Sequence, residues 1–294
     1  MWTQRFDLHS HSTNSDGQHE VDDVAEMMEE QGVSVWALTD HDTTSGWKQA
    51  AIAAASRGIQ FIPGVEITCT PAHPPMPEVL KARGQERASS SWHLLAYFPR
   101  HHPAVSETAV DAFKQWLMPR QLGREPRMRL MCARLEALGM PVNIDDVLAR
   151  ADGSVGRPHL AEEMVKLGYV ESKHEAFERW LGDGLPAFVA HEKPTIAEAV
   201  EAVKAAGGFT SLAHPLYYGV DVPVLMNTLN NLGVDAVEAV HRSHDDMYRH
   251  ALMEAAVERN MGITVGSDFH GLDYQQRPGC MPVVIDALHP MLTE

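Results

Sequence analysis

The sequence predicts a parallel α/β barrel of seven strands with a helical insertion over its mouth. Three observations predict it: short apolar runs alternate with stretches of helical spacing, glycines stand where those helices must stop, and polar clusters recur just after the runs. With 294 residues the chain can bury a sizeable core, and 44% hydrophobic against 22% charged residues is the composition of a globular protein.

Phe6–Leu8 is a brief first strand. Val21–Gln31 has helical spacing through Val24, Met27 and Met28, and Gly32 stops it. Val33–Leu38 is the second strand, followed by a helix over Trp47–Arg57 that ends at Gly58. Ile59–Pro63 is the third strand and His93–Tyr97 the fourth. After Gly207-Gly208 come Phe209–Leu212, Val234–Val240 and, beyond a helix over Met247–Asn260, Ile263–Val265. Residues 100–187 are helical (Arg127–Leu138, Leu160–Leu167, His174–Leu181) with no strand pattern. The barrel is therefore expected to comprise 1–99 and 188–294, and 100–187 to cap its mouth. Pro71–Ser91, rich in Pro, Ser and charge, reads as a long loop at the same mouth.

A formal charge of −16 argues against long nucleic acid held by non-specific phosphate contacts and against an anionic membrane surface. No apolar run approaches the roughly 20 residues of a membrane span, and Met1–His11 lacks the apolar stretch of a secretory signal. Cys69, Cys132 and Cys280 are scattered with no CxxC pair, and are expected to be reduced thiols in a cytoplasmic protein. Nothing in the sequence specifies a protein partner. Of the 17 histidines, His19, His101, His102 and His289 read as surface residues.

The others are arranged. His9, His11 and Asp16 follow the first strand, His41 the second and Glu66 the third; His93 begins the fourth; His214 ends the fifth; Asp268 and His270 end the seventh. An α/β barrel places its active site at the C-terminal strand ends, which accommodates all but His93. Alternation along a strand turns His9 and His11 to one face, and likewise Asp268 and His270. Six imidazoles and three carboxylates are too many for one ion and suit two or three divalent ions. Without a thiolate among them a structural zinc cage is disfavoured, and Mn²⁺, Zn²⁺ and Fe²⁺ remain open.

Asp7-Leu8-His9-Ser10-His11 with Ser15-Asp16-Gly17, then Leu38-Thr39-Asp40-His41-Asp42, Pro63-Gly64-Val65-Glu66, Ala213-His214-Pro215 and Gly266-Ser267-Asp268-Phe269-His270 resemble the PHP (polymerase and histidinol phosphatase) family. The resemblance covers nearly the whole chain. It implies a metal-dependent phosphoesterase on a distorted (β/α)7, TIM-like barrel, with metal ligands at the nine positions just named and two or three divalent ions, Mn first. Its nearest branch is that of 5′→3′ exoribonucleases and 3′,5′-nucleotide bisphosphate phosphatases, which carry a helical insert in the same place. Glu66 is expected to bridge two ions, Asp42 to orient His41, and His241 or Glu238 at the end of strand six to protonate the leaving oxygen. Gly156-Arg157-Pro158-His159 and Val189-Ala190-His191 resemble the branch's substrate motifs, which makes Arg157, His159 and His191 the expected phosphate-holding residues. Leu216-Tyr217-Tyr218 departs from the Gly-Arg-Tyr common after His-Pro in the branch, and the Pro71–Ser91 loop is longer than its usual hairpin.

The expected substrate is small and highly charged. Residues 114–134 carry Lys114, Arg120, Arg124, Arg127, Arg129 and Arg134 against Glu125 alone, although Pro126 is expected to start a new helix and divide this face. The resemblance implies removal of the 3′-phosphate of a nucleoside 3′,5′-bisphosphate and trimming of short 5′-phosphorylated RNA. Two rivals are a phosphatase for a non-nucleotide ester such as histidinol phosphate, and a non-catalytic, metal-stabilised binding module. Trp92, Tyr97, Tyr217 and Tyr218 lie near strand ends, where a ring could stack on a base.

Overall fold

Strands form at each of the apolar runs: β1 (Phe6–Asp7), β2 (Val35–Leu38), β3 (Gln60–Cys69), β4 (Trp92–Tyr97), β5 (Phe209–Leu212), β6 (Ala236–His241) and β7 (Gly262–Gly266). The computed structural model describes residues 5–151, 154–272, 277–279, 281 and 288–292. The strands make one sheet in the order β1 to β7. Its two edges meet: Leu8 N–H donates to the Val265 carbonyl at 3.0 Å, and Asp268 N–H to that of His9 at 2.9 Å. The sheet is thereby wrapped into a barrel.

The expectation of a wholly parallel barrel is corrected at one strand. β1–β2, β2–β3, β5–β6 and β6–β7 pair in parallel, but β4 runs antiparallel to both β3 and β5. A parallel pair needs a crossover element to carry the chain back across the sheet. Segment 70–91 has only a six-residue helix (Pro77–Ala82) with no buried side chain, so the chain stays at the mouth and enters β4 from there. His93, near the start of a reversed strand, therefore lies at the same end of the barrel as the other strand-end residues.

β3 also runs on past the expected Pro63 to Cys69, which places Glu66 inside a strand. Pro63 and Gly64 read as terminators in the sequence. Gly64 is needed for close approach instead, since a Cβ there would stand 2.8 Å from Thr39 Cγ2.

Helices α1 (Val21–Glu30) and α2 (Trp47–Ser56) cross over between the first three strands, and that short helix is α3. Beyond β4, α4 (Glu107–Leu122) lays Phe113 and Leu117 into the barrel core, although it falls within the sequence expected to cap it. Helices α5 (Arg124–Ala137), α6 (Ile144–Leu148), α7 (Arg157–Lys166) and α8 (Lys173–Ala176), with a π-turn over Phe177–Leu181, build a second core on Met128, Met131, Leu135, Leu160 and Met164. The chain returns through α9 (Ile196–Ala205), which packs on β4 and β5, while α10 (Val222–Asn231) and α11 (Asp246–Val257) complete the outer layer. Residues 100–187 hold no strand among the described residues, and no described helix is long and apolar enough to cross a membrane.

Cys69 and Cys132 are buried and free, with burial pushing Cys132 up to about 11; Cys280 lies outside the described residues. His19 and His289 are not the surface residues expected. They stack on Phe269 (5.9 Å between centroids) and Phe209 (4.0 Å), because an imidazole half-buried on a ring loses little solvation and gains packing.

Candidate active site

All nine strand-end residues converge on one cluster around the buried Glu66 carboxylate. Its Oε2 lies 3.3 Å from His9 Nε2, 3.2 Å from His11 Nε2 and 3.2 Å from His41 Nδ1. Its Oε1 lies 2.8 Å from His93 Nδ1 and 3.0 Å from His214 Nε2. Asp268 Oδ1 is 3.4 Å from His9 Nε2, His11 Nε2 and His270 Nδ1 alike, and Asp16 Oδ1 is 3.4 Å from His270 Nε2. Three sets of potential ligands result: His9, His11, Glu66 and Asp268; His11, Asp16, His41 and His270; and His41, Glu66 and His93. The loop that carries Asp16 is folded by Asp40, which accepts Ser12 N–H at 2.8 Å and the Ser15 hydroxyl at 2.6 Å.

The donor set fits divalent ions. Separations of 3.2–3.4 Å between imidazole nitrogens and carboxylate oxygens match the edge of a tetrahedron whose bonds from ion to ligand are about 2.0–2.1 Å. His9 Nε2, His11 Nε2, His41 Nδ1 and Glu66 Oε2 are buried with no hydrogen-bond partner. One such orphan costs about 1–3 kcal/mol, so four around one point are tolerated for what they bind.

The electrostatics agree. Burial raises the Glu66 carboxyl, but His41, His9 and His93 outweigh it and hold it well below the usual range. Asp16 and Asp268 are held down in the same way by their imidazoles against the cost of burial. His41 is pushed down to about 3, first by burial and then by the neighbouring His11 and His93, overcoming Glu66 and Asp16. His11, although buried, is pushed up to about 10 by Asp268 and Glu66, so a bound cation must displace its proton.

Behind the cluster stands Glu238, which the sequence offered only as a rival proton donor. Its Oε1 lies 2.9 Å from His9 Nδ1 and its Oε2 accepts His214 N–H at 2.8 Å. A bulge between Glu238 and Val240 breaks the alternation of β6, so Glu238 and His241 both turn toward the cluster. Gly266 leaves the room, since a Cβ there would stand 2.2 Å from His9 Cβ and 2.5 Å from Glu238 Oε1. A carboxylate on the far nitrogen fixes the tautomer and aim of a ligating imidazole. Glu238→Gln is accordingly expected to weaken divalent binding about tenfold, measured by competition with a chromogenic chelator. Unchanged affinity would remove Glu238 from this role.

Other expected residues fall differently. His241 is fully buried, with Nδ1 2.8 Å from Ser243 Oγ and Nε2 3.5 Å from Asp268 Oδ2. The Asp42 carboxylate makes no bond to His41. It grips the Arg124 guanidinium and accepts Thr68 N–H at 2.9 Å. His159 Nδ1 accepts Gly156 N–H at 2.9 Å at the start of α7, and its ring faces a different cavity from that of Arg157.

The second feature is a cationic pocket of about 220 Å³ next to Asp16, His41 and His93, lined by Arg124, Arg127, Arg157, His191 and Lys193. Arg157 is paired with Asp183 at 2.6 Å, and Arg124 with Asp42. Arg127 and Lys193 have no carboxylate within ion-pair distance among the described residues. Arg127 donates to the Val189 carbonyl at 2.8 Å and Lys193 to Ser91 Oγ at 2.6 Å. Burial, with Arg157 and Arg124 adding to it, pushes Arg127 down to about 10, and burial with Arg124 and Arg127 pushes His191 down to about 4. The helix break falls at Gly123 and not at Pro126, so Arg124 and Arg127 share one face of α5. That glycine was the available signal for these two arginines.

Known proteins resemble this chain in sequence and fold. Residues 7–142 match the PHP domain. A 5′-3′ exoribonuclease of Haemophilus influenzae is 36% identical over 272 residues, covering 91% of this chain and 90% of that protein. A 3′,5′-nucleoside bisphosphate phosphatase of Chromobacterium violaceum is 31% identical over 276 residues, covering 90% and 87%. A solved structure from Bifidobacterium adolescentis, assigned as a metal-dependent phosphoesterase, superposes with a TM-score of 0.79 at 26% identity, covering 99% of this chain and 96% of that one.

Proposed function

This chain belongs to the PHP domain family and is a metal-dependent phosphoesterase, and from that premise we propose that it hydrolyses the 3′-phosphoester of a nucleotide whose 5′-phosphate sits in the cationic pocket. The substrates are nucleoside 3′,5′-bisphosphates and short 5′-phosphorylated RNA, because both offer a 3′-phosphoester flanked by a 5′-phosphate. The observation that carries this reading is the pair of half-buried cations, Arg127 and Lys193, that have no carboxylate in ion-pair contact among the described residues and stand beside the imidazole–carboxylate cluster. A half-buried cation that has only neutral acceptors gains most from a charged one, and a phosphate supplies it. Histidinol phosphate has no second phosphate and would leave both cations unmatched.

We assign His9, His11, Asp16, His41, Glu66, His93, His214, Asp268 and His270 as ligands of two or three divalent ions, Mn²⁺ first with Zn²⁺ or Fe²⁺ as alternatives. Such ions, when bound, supply a nucleophile from water near neutral pH and neutralise charge on the phosphoryl oxygens. The chain does the rest. Glu238 aims His9, His241 backs Asp268, and Arg124, held by Asp42, turns its guanidinium to the substrate together with Arg127, Arg157, His191 and Lys193. The part of 100–187 beyond α4 acts as the cap that contributes Arg124, Arg127 and Arg157. The free thiols of Cys69 and Cys132 support a cytoplasmic location.

The test is phosphate release from adenosine 3′,5′-bisphosphate by Mn²⁺-loaded protein, with adenosine 5′-monophosphate for comparison. Release from the first and not the second is expected. No release from the bisphosphate would remove the nucleotide reading and favour another phosphate ester.

A further inference from the structure

The fold removes three of the four aromatic residues placed near the mouth. Trp92, Tyr97 and Tyr218 are at most 1% exposed. The Tyr97 hydroxyl donates to the Leu8 carbonyl at 2.9 Å, and Tyr218 stacks on Trp92 while its hydroxyl accepts His93 N–H at 2.8 Å. Tyr217 alone of the four keeps an open face, 37% exposed. Its ring centroid lies 5.4 Å from that of His214 and 6.2 Å, edge-on, from that of His241. Its backbone is pinned on both sides, its N–H donating to the His214 carbonyl at 3.2 Å and its carbonyl accepting Ser89 N–H at 2.9 Å.

The imidazoles show where this ring stands. His41 and His93 border the cationic pocket; His93 is 5.2 Å from His214, and His214 is 5.7 Å from His241. Tyr217, beside His214 and His241, therefore stands beyond His214 from the pocket-lining His93, while its carbonyl reaches Ser89, two residues before the pocket-lining Ser91. The charge around Tyr217 differs from that of the pocket. Beside Tyr217, Arg83 donates to the Leu216 carbonyl at 2.9 Å, and Arg242, which follows His241, is tied to Asp268 Oδ2 at 3.1 Å. A rigid uncharged ring flanked by committed cations suits the face of a base better than a phosphate.

We infer that Tyr217 is the platform of a second nucleotide subsite, on which the base following the hydrolysed phosphoester stacks when the substrate is 5′-phosphorylated RNA. This rests on the function proposed above. Water oxygen bonds to phosphorus, the bond from phosphorus to the 3′-oxygen of the terminal nucleotide breaks, and a water proton ends on that 3′-oxygen. The phosphate stays on the next nucleotide, which holds its place on Tyr217 with a new 5′-phosphate. A bisphosphate ends at the cluster and does not reach the ring.

The experiment compares kcat/KM for a 5′-phosphorylated diadenylate and for adenosine 3′,5′-bisphosphate, using the Mn²⁺-loaded full chain. In Tyr217→Ala the ratio of the two should fall about tenfold, mainly through KM, and Tyr217→Phe should retain it. A dinucleotide with an abasic second residue should cost the wild type the same factor and cost Tyr217→Ala nothing. An unchanged ratio, or equal sensitivity of both proteins to the abasic substrate, overturns the subsite. Wild-type cleavage of the bisphosphate but not the dinucleotide also overturns it and leaves the nucleotide reading standing, whereas cleavage of neither overturns both.

Discussion

Replacing Glu66 by glutamine is expected to lower phosphate release by more than about 100-fold, beyond the 10- to 100-fold that loss of a supporting residue costs, and to lower the divalent metal retained on purification. Among the described residues no other side chain touches so many of the candidate ligands. Its Oε2 serves His9, His11 and His41 within 3.2–3.3 Å, and its Oε1 serves His93 and His214 within 2.8–3.0 Å. Glutamine preserves the volume in a site with no slack, Glu66 being 1% exposed. It removes the charge, however, and turns an NH₂ group toward imidazole nitrogens that must present lone pairs to an ion. Metal content by mass spectrometry, read together with turnover, decides the matter. Full metal content with wild-type turnover would show that Glu66 is not a ligand. Full metal content with lost turnover would confine its role to the reaction itself.

The cluster was legible in the sequence because most of its ligands sit where a strand meets a turn, a position set by apolar pattern and glycine, although Glu66 proved to lie inside β3. His93 fitted only once β4 proved to run against its neighbours, and strand direction is a property of the connection between strands. The six-residue α3 is too short to serve as a crossover, which in retrospect was a readable signal. Glu238 was not legible, since its alignment with His9 depends on the bulge in β6 and on the missing side chain at Gly266. Asp42 shows a different limit. It adjoins His41 in the chain, yet a positive φ of 51° turns its carboxylate toward Arg124, 82 residues away. Contacts across such distances arise from how the cap docks on the barrel, and no local pattern encodes that docking.

Arg127→Met should separate function from stability by moving them in opposite directions. Hydrolysis of adenosine 3′,5′-bisphosphate should fall on the order of 100-fold, the effect of losing a charge-assisted bond to phosphate. Hydrolysis of adenosine 3′-monophosphate, which has nothing to place in the pocket, should hold its lower rate. The melting temperature of the metal-loaded protein without substrate should rise. Burial and the cations of Arg157 and Arg124 push Arg127 down from the usual 12.5 to about 10, so its charge opposes folding at neutral pH. Methionine gives up the bond to the Val189 carbonyl, worth about 1 kcal/mol, and in return removes first the cost of burying the charge and then its repulsion by Arg157 and Arg124, while its apolar chain can rest on Phe188. A fall in melting temperature with equal losses on both substrates would make Arg127 a structural residue of the cap. A rise with selective loss is the signature of a cation whose unfavourable environment is retained for the phosphate it binds.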